Sequence, residues 1–342
     1  MNGRRVLVVV TTNGENPEIV EKILAILRGY HTPGRMEVRI LAEERDRYPY
    51  SAAVCRVPGS YGTPRGSQHK LRALHWFATA LASGGFGAET YVVHLDDDSV
   101  PSEGYIDYVF RMRELAGQGN IRLRSHGIHL LSTLADFVRI GDCDAWCDTF
   151  NLAGRPMAVH GEGLVIRADI ETRIGWDFGT YGADDFIMGQ HLVRRGVLFG
   201  LIPHEIYIAP PTSASDFYRQ RRRWLISIFW AREEIRAVRP VALRWVTYRY
   251  IVGWTGVLGL PVMVFSIITH PSIPLPIEVL GSFNLVSYFA FYQYGAYQTS
   301  CRRYSLRMAV LQIPVSFYEG GTLFWSLLRP PNPAKFEVIR KV

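Results

Sequence analysis

Up to about residue 240 the chain alternates strand-like and helix-like segments, and this alternation limits the fold more than any other feature. Val6–Val10 is a branched apolar run that stops at Thr11-Thr12-Asn13-Gly14, a turn signal. Pro17 to Leu27 carries Ile19, Ile23, Ile26 and Leu27 at helical spacing, with proline where a helix tolerates it. Glu37–Ala42 reads as a second strand. Gln68–Leu81 reads as a helix with Leu71, Leu74, Phe77 and Leu81 on one stripe. Tyr91–Leu95 reads as a third strand that runs straight into Asp96-Asp97-Asp98. This order predicts an α/β domain, a mostly parallel sheet covered by helices. Ligands of such sheets sit beyond the carboxyl ends of the strands, where Thr11–Gly14 and Asp96–Asp98 fall.

The last hundred residues have another character. Tyr250–Thr269 and Val279–Ser300 are charge-free stretches of 20 and 22 residues, and about 20 apolar residues span a bilayer. The connector, His270 to Glu278, holds three prolines and no Lys or Arg. Arg244 and Arg249 precede the first stretch, and Arg302, Arg303 and Arg307 follow the second. The positive flanks predict two spans with both outer ends in the cytoplasm. Met308–Leu328 is interrupted by Pro314 and Glu319-Gly320-Gly321. It is expected to lie in the membrane interface or re-enter it, followed by a cytoplasmic tail. Residues 241–342 hold nine Lys/Arg and three Glu, whereas the first 240 are nearly neutral, with 29 basic and 28 acidic side chains. The charge therefore travels with the greasy end, a pattern for anionic lipid rather than nucleic acid. With 48% apolar and 20% charged residues the chain is not disordered. A mean hydropathy of +0.03 fits a soluble domain joined to a membrane part. Cys55, Cys143, Cys147 and Cys301 make no disulfide framework, and no Cys/His pair completes a zinc site. Met1–Val10 is too short in apolar residues for a signal peptide and reads as a strand, so the first domain is expected in the cytoplasm.

Three segments bear chemistry. Adjacent carboxylates in Asp96–Asp98 repel one another unless a divalent cation or water relieves them, and oxygen ligands suit magnesium or manganese. Asp184-Asp185 falls at a helix start. Capping explains one aspartate there, and the other is available as a general base. Gln220–Trp224 sits in a helix expected from about Ser215 to Val238, with Phe217, Trp224, Leu225, Ile228 and Ile235 on one face. A Trp-bearing amphipathic helix with arginines elsewhere reads as a membrane-surface helix. Taken singly, Lys70 is an ordinary helix lysine, Trp224 an interface anchor, and His126 and His129 solvated loop residues.

In this order the segments resemble the inverting glycosyltransferases of family 2, the group of the cellulose and hyaluronan synthases. Within it the chain looks most like the egghead-type β-1,4-mannosyltransferases. The closer match rests on Val92–Asp96, Leu131–Asp136, Asp184-Asp185, Asp216-Phe217 with Gln220–Trp224, and Tyr61 through Gly66 and Lys70 to Leu74. It covers roughly residues 5–240. More weakly, Phe336–Lys341 resembles a gating segment of the synthases. The resemblance implies a GT-A fold and transfer of a sugar from a nucleotide donor. It implies Asp96 and Asp98 as metal contacts, with Asp96 also near the ribose. Lys70 would sit against a phosphate, Glu43 would read the base, and Thr11 and Thr12 would line the same end. Asp185 is implied as the base. Gln220, Arg223 and Trp224 would close over the diphosphate, with Trp224 also stacking the acceptor. His160, Gly161, Glu162 and Asp184 would lie near the acceptor. Asp184 stands where glutamate is usual in that family.

The expected organisation is therefore a GT-A catalytic domain over 1–240, ending in an amphipathic helix, and a membrane module over 241–342. The expected reaction transfers mannose from GDP-mannose in β-linkage to a glycolipid at the cytoplasmic leaflet, with magnesium or manganese. UDP-glucose as donor, a polyprenyl phosphate as acceptor, and a catalytically silent membrane adaptor are the alternatives. A polymer-exporting synthase is disfavoured because two spans are too few for a channel.

Overall fold

The computed structural model describes residues 3–32, 34–124, 129–269, 274–299, 306–330 and 332, with side chains except at 249–258, 260–262, 323 and 327. His126, residues 270–273 of the proline connector, Cys301, Arg302, Arg303 and the 336–341 segment lie outside the described residues.

Among the described residues eight strands form one sheet: β1 (Arg5–Thr12), β2 (Arg35–Glu43), β3 (Ala53–Val57), β4 (Thr90–Asp96), β5 (Val100–Pro101), β6 (Ala116–Leu123), β7 (Leu164–Arg167) and β8 (Phe199–Ile208). The helices of the first 240 residues are α1 (Pro17–Arg28), α2 (His69–Ser83), α3 (Glu103–Val109), α4 (Leu130–Ala135), α5 (Phe137–Asp142), α6 (Asp148–Leu152), α7 (Ala168–Ile174), α8 (Asp184–Arg194), α9 (Ala214–Trp230) and α10 (Arg232–Val238). A π-helical turn, Cys143–Cys147, joins α5 to α6. Three longer helices follow: α11 (Pro240–Thr269), α12 (Leu275–Thr299) and α13 (Leu306–Leu328).

The strand order is β3-β2-β1-β4-β7-β6-β8-β5. The β3-β2-β1-β4 half is parallel throughout. Its strands read as continuous apolar runs because helices cover both faces. Leu7 and Val9 enter one core with α2, α7 and α8, while Val6, Val8 and Val10 enter the other with α1 and α3. The expectation of a mostly parallel sheet is corrected beyond β4: β7 is antiparallel to both β4 and β6, so the sheet is mixed. The reversal has a local cause. After β6 the chain makes a helical excursion and returns at the carboxyl end of β4, where Gly163 N donates to the His94 carbonyl. It can then only run back down the sheet.

The helix expected from Ser215 to Val238 is two helices, α9 and α10, that break at Ala231. Ser213 caps α9 by accepting from Asp216 N at 3.1 Å, and its hydroxyl donates to the Asp216 carboxylate, a reciprocal cap.

Among the described residues no helix is long and apolar enough to cross a membrane, so the two expected spans are not supported. The first expected span lies in α11, where most of its side chains fall outside the described ones. In α12 the polar side chains Asn284 and Tyr288 are turned inward and buried with Tyr292, Gly295 and Ala296. The segment expected to be interrupted at Pro314 and at Glu319–Gly321 is one continuous helix, α13. It buries Gln312, Ser316, Glu319 and Ser326, and Glu319 is held by partners on α9 and α12.

These helices pack on the α/β domain through a third apolar cluster that includes Phe137, Ile140, Phe217, Tyr292 and Val315. Two glycines allow the closest approach. A Cβ on Gly295 would stand 1.8 Å from the Phe137 carbonyl oxygen, and one on Gly141 would stand 2.1 Å from that of Phe291. Here α12 crosses α5 backbone against backbone.

Candidate active site

The parallel strands β2, β1 and β4 end side by side, and their ends open into a cleft of about 470 Å³. Thr11 pairs in register with Asp96, which places Thr11, Thr12, Glu43 and Asp96–Asp98 along one edge. The turn into β7 lays His160 and Glu162 against the same edge. Helices supply the rest: Lys70 from the start of α2, Asp184 and Asp185 from the start of α8, and Gln220, Arg223 and Trp224 from the middle of α9. Every expected site residue lines this cleft except Gly161, which lies just behind its wall. A Cβ on Gly161 would meet Lys70 Nζ at 3.1 Å and Asp185 Oδ2 at 3.2 Å, so the glycine leaves room for both.

Two of these helices start from strained backbone. His69 (φ 53°) precedes Lys70, and Ala183 (φ 58°) precedes Asp184. Left-handed backbone at a residue with a Cβ costs ~1–2 kcal/mol and persists where surrounding packing enforces it.

Lys70 Nζ donates to Asp96 Oδ1 at 2.7 Å and lies 3.3 Å from Asp184 Oδ2. Burial works against its charge, but Asp184, Asp96 and Asp185 outweigh that and hold the ammonium well above its ordinary value. Asp185 is the opposite case. Burial, and then the neighbouring charge of Asp184, raise its carboxyl from 3.8 to about 8, with Lys70 working the other way. A carboxylate whose proton affinity lies near neutral pH is matched to general-base work.

Thr12 Oγ1 donates to Asp97 Oδ2 at 3.1 Å. Thr11 Oγ1, one residue earlier at the cleft edge, is buried with no hydrogen-bond partner among the described residues. Asp98 is only 2% exposed and accepts from Ser99 Oγ at 3.4 Å. Glu43 lines the cleft with its carboxylate engaged by Arg72. Among the described residues no three His, Cys, Asp or Glu side chains converge as a metal-ligand set. The most that Asp96 and Asp98 provide is a pair of carboxylates.

Sequence reasoning missed Arg139. It lines the cleft from α5, donates to Glu162 Oε1 at 3.1 Å, and holds its guanidinium carbon 4.4 Å from the centre of the Trp224 ring. Burial opposes its charge, and the carboxylates of Glu162 and Asp136 more than restore it. The available signal was a charged pair, Asp136 and Arg139, inside an otherwise apolar run from Leu134 to Ile140. Such charges go inside only with partners. Arg72 falls within the matching stretch Lys70–Leu74, and it proves to be the partner of Glu43. Cys143 and Cys147 are buried, and Cys143 Sγ lies 3.6 Å from His160 Nε2.

A family model described as glycosyl transferase family group 2 matches residues 91–298, more than half of the chain. The chain is 26% identical over 311 residues to β-1,4-mannosyltransferase egh of Drosophila melanogaster, covering 83% of this chain and 65% of that protein. It is 25% identical over 251 residues to β-1,4-mannosyltransferase bre-3 of Caenorhabditis briggsae, covering 68% and 53%. It thus spans less than two thirds of the length of these relatives. A solved structure, mannosyltransferase PcManGT from Pyrobaculum calidifontis in complex with GDP-Man and Mn2+, aligns over 93% of this chain and 88% of that one, at 16% identity and a TM-score of 0.46. With the family matched across more than half its length, from β4 into α12, the chain belongs to glycosyl transferase family group 2.

Proposed function

We propose that the cleft transfers mannose from GDP-mannose to a hydroxyl of a glycolipid, with inversion to a β-linkage. The observation that carries this is Asp185, a carboxylate of raised proton affinity set beside Lys70 in a cleft that continues to Asp96–Asp98. The acceptor oxygen forms a bond to the anomeric carbon as the bond from that carbon to the diphosphate oxygen breaks. The acceptor proton passes to the Asp185 carboxylate, and the diphosphate leaves with the bonding electrons. Attack from the face opposite the leaving group inverts the centre. Trp224 offers the acceptor sugar a flat apolar surface, and Gln220 and Arg223 face the diphosphate.

Asp96 and Asp98 would hold a divalent cation such as magnesium, for which carboxylate oxygens are suitable ligands. Bound there, such an ion neutralises charge developing on the leaving group. The relatives egh and bre-3, both named β-1,4-mannosyltransferases, support mannose and the β-linkage. Glu43 supports a guanine nucleotide, whose N1–H and N2–H would donate to a carboxylate. The apolar side chains Phe265, Ile268, Phe283, Phe324 and Leu328, exposed on α11–α13, support seating on the cytoplasmic face of a membrane, where a glycolipid would be presented.

The test is a screen of GDP- and UDP-hexoses for nucleoside diphosphate release, with and without a glycolipid acceptor. Release from GDP-mannose with a β-mannosylated product is expected. Turnover of UDP-sugars alone, or of no donor, would refute the proposal.

A further inference from the structure

The Leu131–Asp136 run takes no direct part in the cleft, since none of its side chains lines it. Its last residue, Asp136, is 1% exposed and accepts from Arg221 Nη2 at 2.7 Å. Arg221 does not line the cleft either, yet it touches two residues that do. Its Nη1 donates to Gln220 Oε1 at 3.0 Å, and its guanidinium carbon lies 4.7 Å from the centre of the Trp224 ring. The same guanidinium lies over Phe217 at 4.4 Å. From the other side Glu319 of α13 brings Oε1 to 3.5 Å from Arg221 Nε, and Tyr288 of α12 donates to Glu319 Oε2 at 2.6 Å. A second tie runs alongside: Ser132 meets the Tyr318 hydroxyl at 3.1 Å, and Tyr318 stacks on Phe217 at 4.7 Å.

Side chains of α9, Asp136 at the end of α4 and Glu319 of α13 thus converge on one guanidinium behind the cleft wall, with Tyr288 of α12 behind Glu319. A guanidinium is planar and donates in fixed directions, so carboxylates on two of its edges fix the orientation of the plane as well as its charge. The fixed plane in turn sets the ring it lies against through cation–π attraction. We propose that Arg221 is a positioning residue for Trp224 and Gln220, oriented by Asp136 and by Glu319, so that the C-terminal helix is a working part of the acceptor half of the site. Leu131–Asp136 then has its role: it supplies the fixed carboxylate of this clamp. The inference rests on the assignment of Trp224 to the acceptor.

The experiment is a double-substitution cycle in the full-length enzyme. Glu319→Gln keeps shape and removes the charge. It should lower kcat/KM for the acceptor about tenfold, since small misplacements of positioning groups are costly. The melting temperature should stay near wild type. In a Trp224→Ala background the same Glu319→Gln change should cost less than about twofold, because coupled residues are not additive. Tyr288→Phe, which removes only the hydroxyl that steadies Glu319, should show the same pattern in smaller measure and serves if Glu319→Gln folds poorly. Arg221→Lys should fail to restore the acceptor kinetics, since an ammonium has no plane to orient. A Trp224→Ala defect with additive losses overturns this inference alone. Wild-type acceptor kinetics for Trp224→Ala overturn the acceptor assignment and this inference with it.

Discussion

Replacing Asp185 by asparagine keeps its size and removes its ability to take a proton. A positioned general base contributes ~10²–10⁴-fold, and turnover should fall by that factor. The pH profile follows from the structure. The base works ionised, and its carboxyl is raised to about 8. At pH 7 about a tenth of the empty enzyme carries the ionised form, so kcat/KM should climb roughly tenfold per pH unit and level off above pH 8. Asp185→Asn should lose both the rate and this limb. Stability carries the opposite sign. The folded protein holds a proton on Asp185 that the unfolded chain releases near its ordinary value of 3.8. That contribution is complete below pH 4 and is lost as pH rises through 8. The neutral asparagine escapes the loss, so the melting temperature of the variant should gain on wild type between pH 4 and 8. The assays are initial rates and thermal melts across pH 5–9. A variant with near-normal turnover, or a wild-type limb in the ordinary carboxylate range, would refute the assignment.

Chelation by EDTA should abolish turnover, and magnesium or manganese should restore it; full activity in chelator would exclude the role given to Asp96 and Asp98. Arg139→Lys keeps the charge but loses the planar fork that meets Glu162 and Trp224, and should lower kcat/KM for the acceptor about tenfold, measured against an unchanged donor affinity. Ala183→Gly removes the Cβ from a left-handed residue and should raise thermal stability by up to about 1 kcal/mol in a denaturant titration, with turnover unchanged or reduced as Asp184 and Asp185 become less firmly held.

The donor side of the site was legible because its cause is local. A valine run, a turn and a carboxylate cluster at a strand end are neighbours in sequence, and parallel strands must end together. The start of α8 at Asp184 was legible for the same reason. The acceptor side was legible only through resemblance, since His160–Glu162 reach Asp96 by a reversal at β7 that no periodicity announces. Arg139 and Arg221 were not assigned roles because a charge in an apolar run says that a partner exists and not which one. Partners such as Glu319, nearly a hundred residues on, are decided by packing. The two spans expected in the last hundred residues are not supported, for a related reason. Absence of charge was taken as contact with lipid, whereas Asn284, Tyr288, Gln312 and Ser316 show that much of the polarity of these helices faces inward onto protein.

The crossing at Gly141 and Gly295 makes a lever of two helices. Where side chains separate helices, each can tilt while the side chains between them adjust. Here carbonyl groups and α-carbons are in direct contact, with no compliant layer between them. Arg139, two residues from that fulcrum, faces the cleft. A tilt of α12, whatever imposes it, is therefore a displacement of α5 and of the guanidinium beside Trp224. The surroundings of the C-terminal helices become a variable of the reaction, and preparations that differ only in what surrounds α12 should differ in acceptor kinetics.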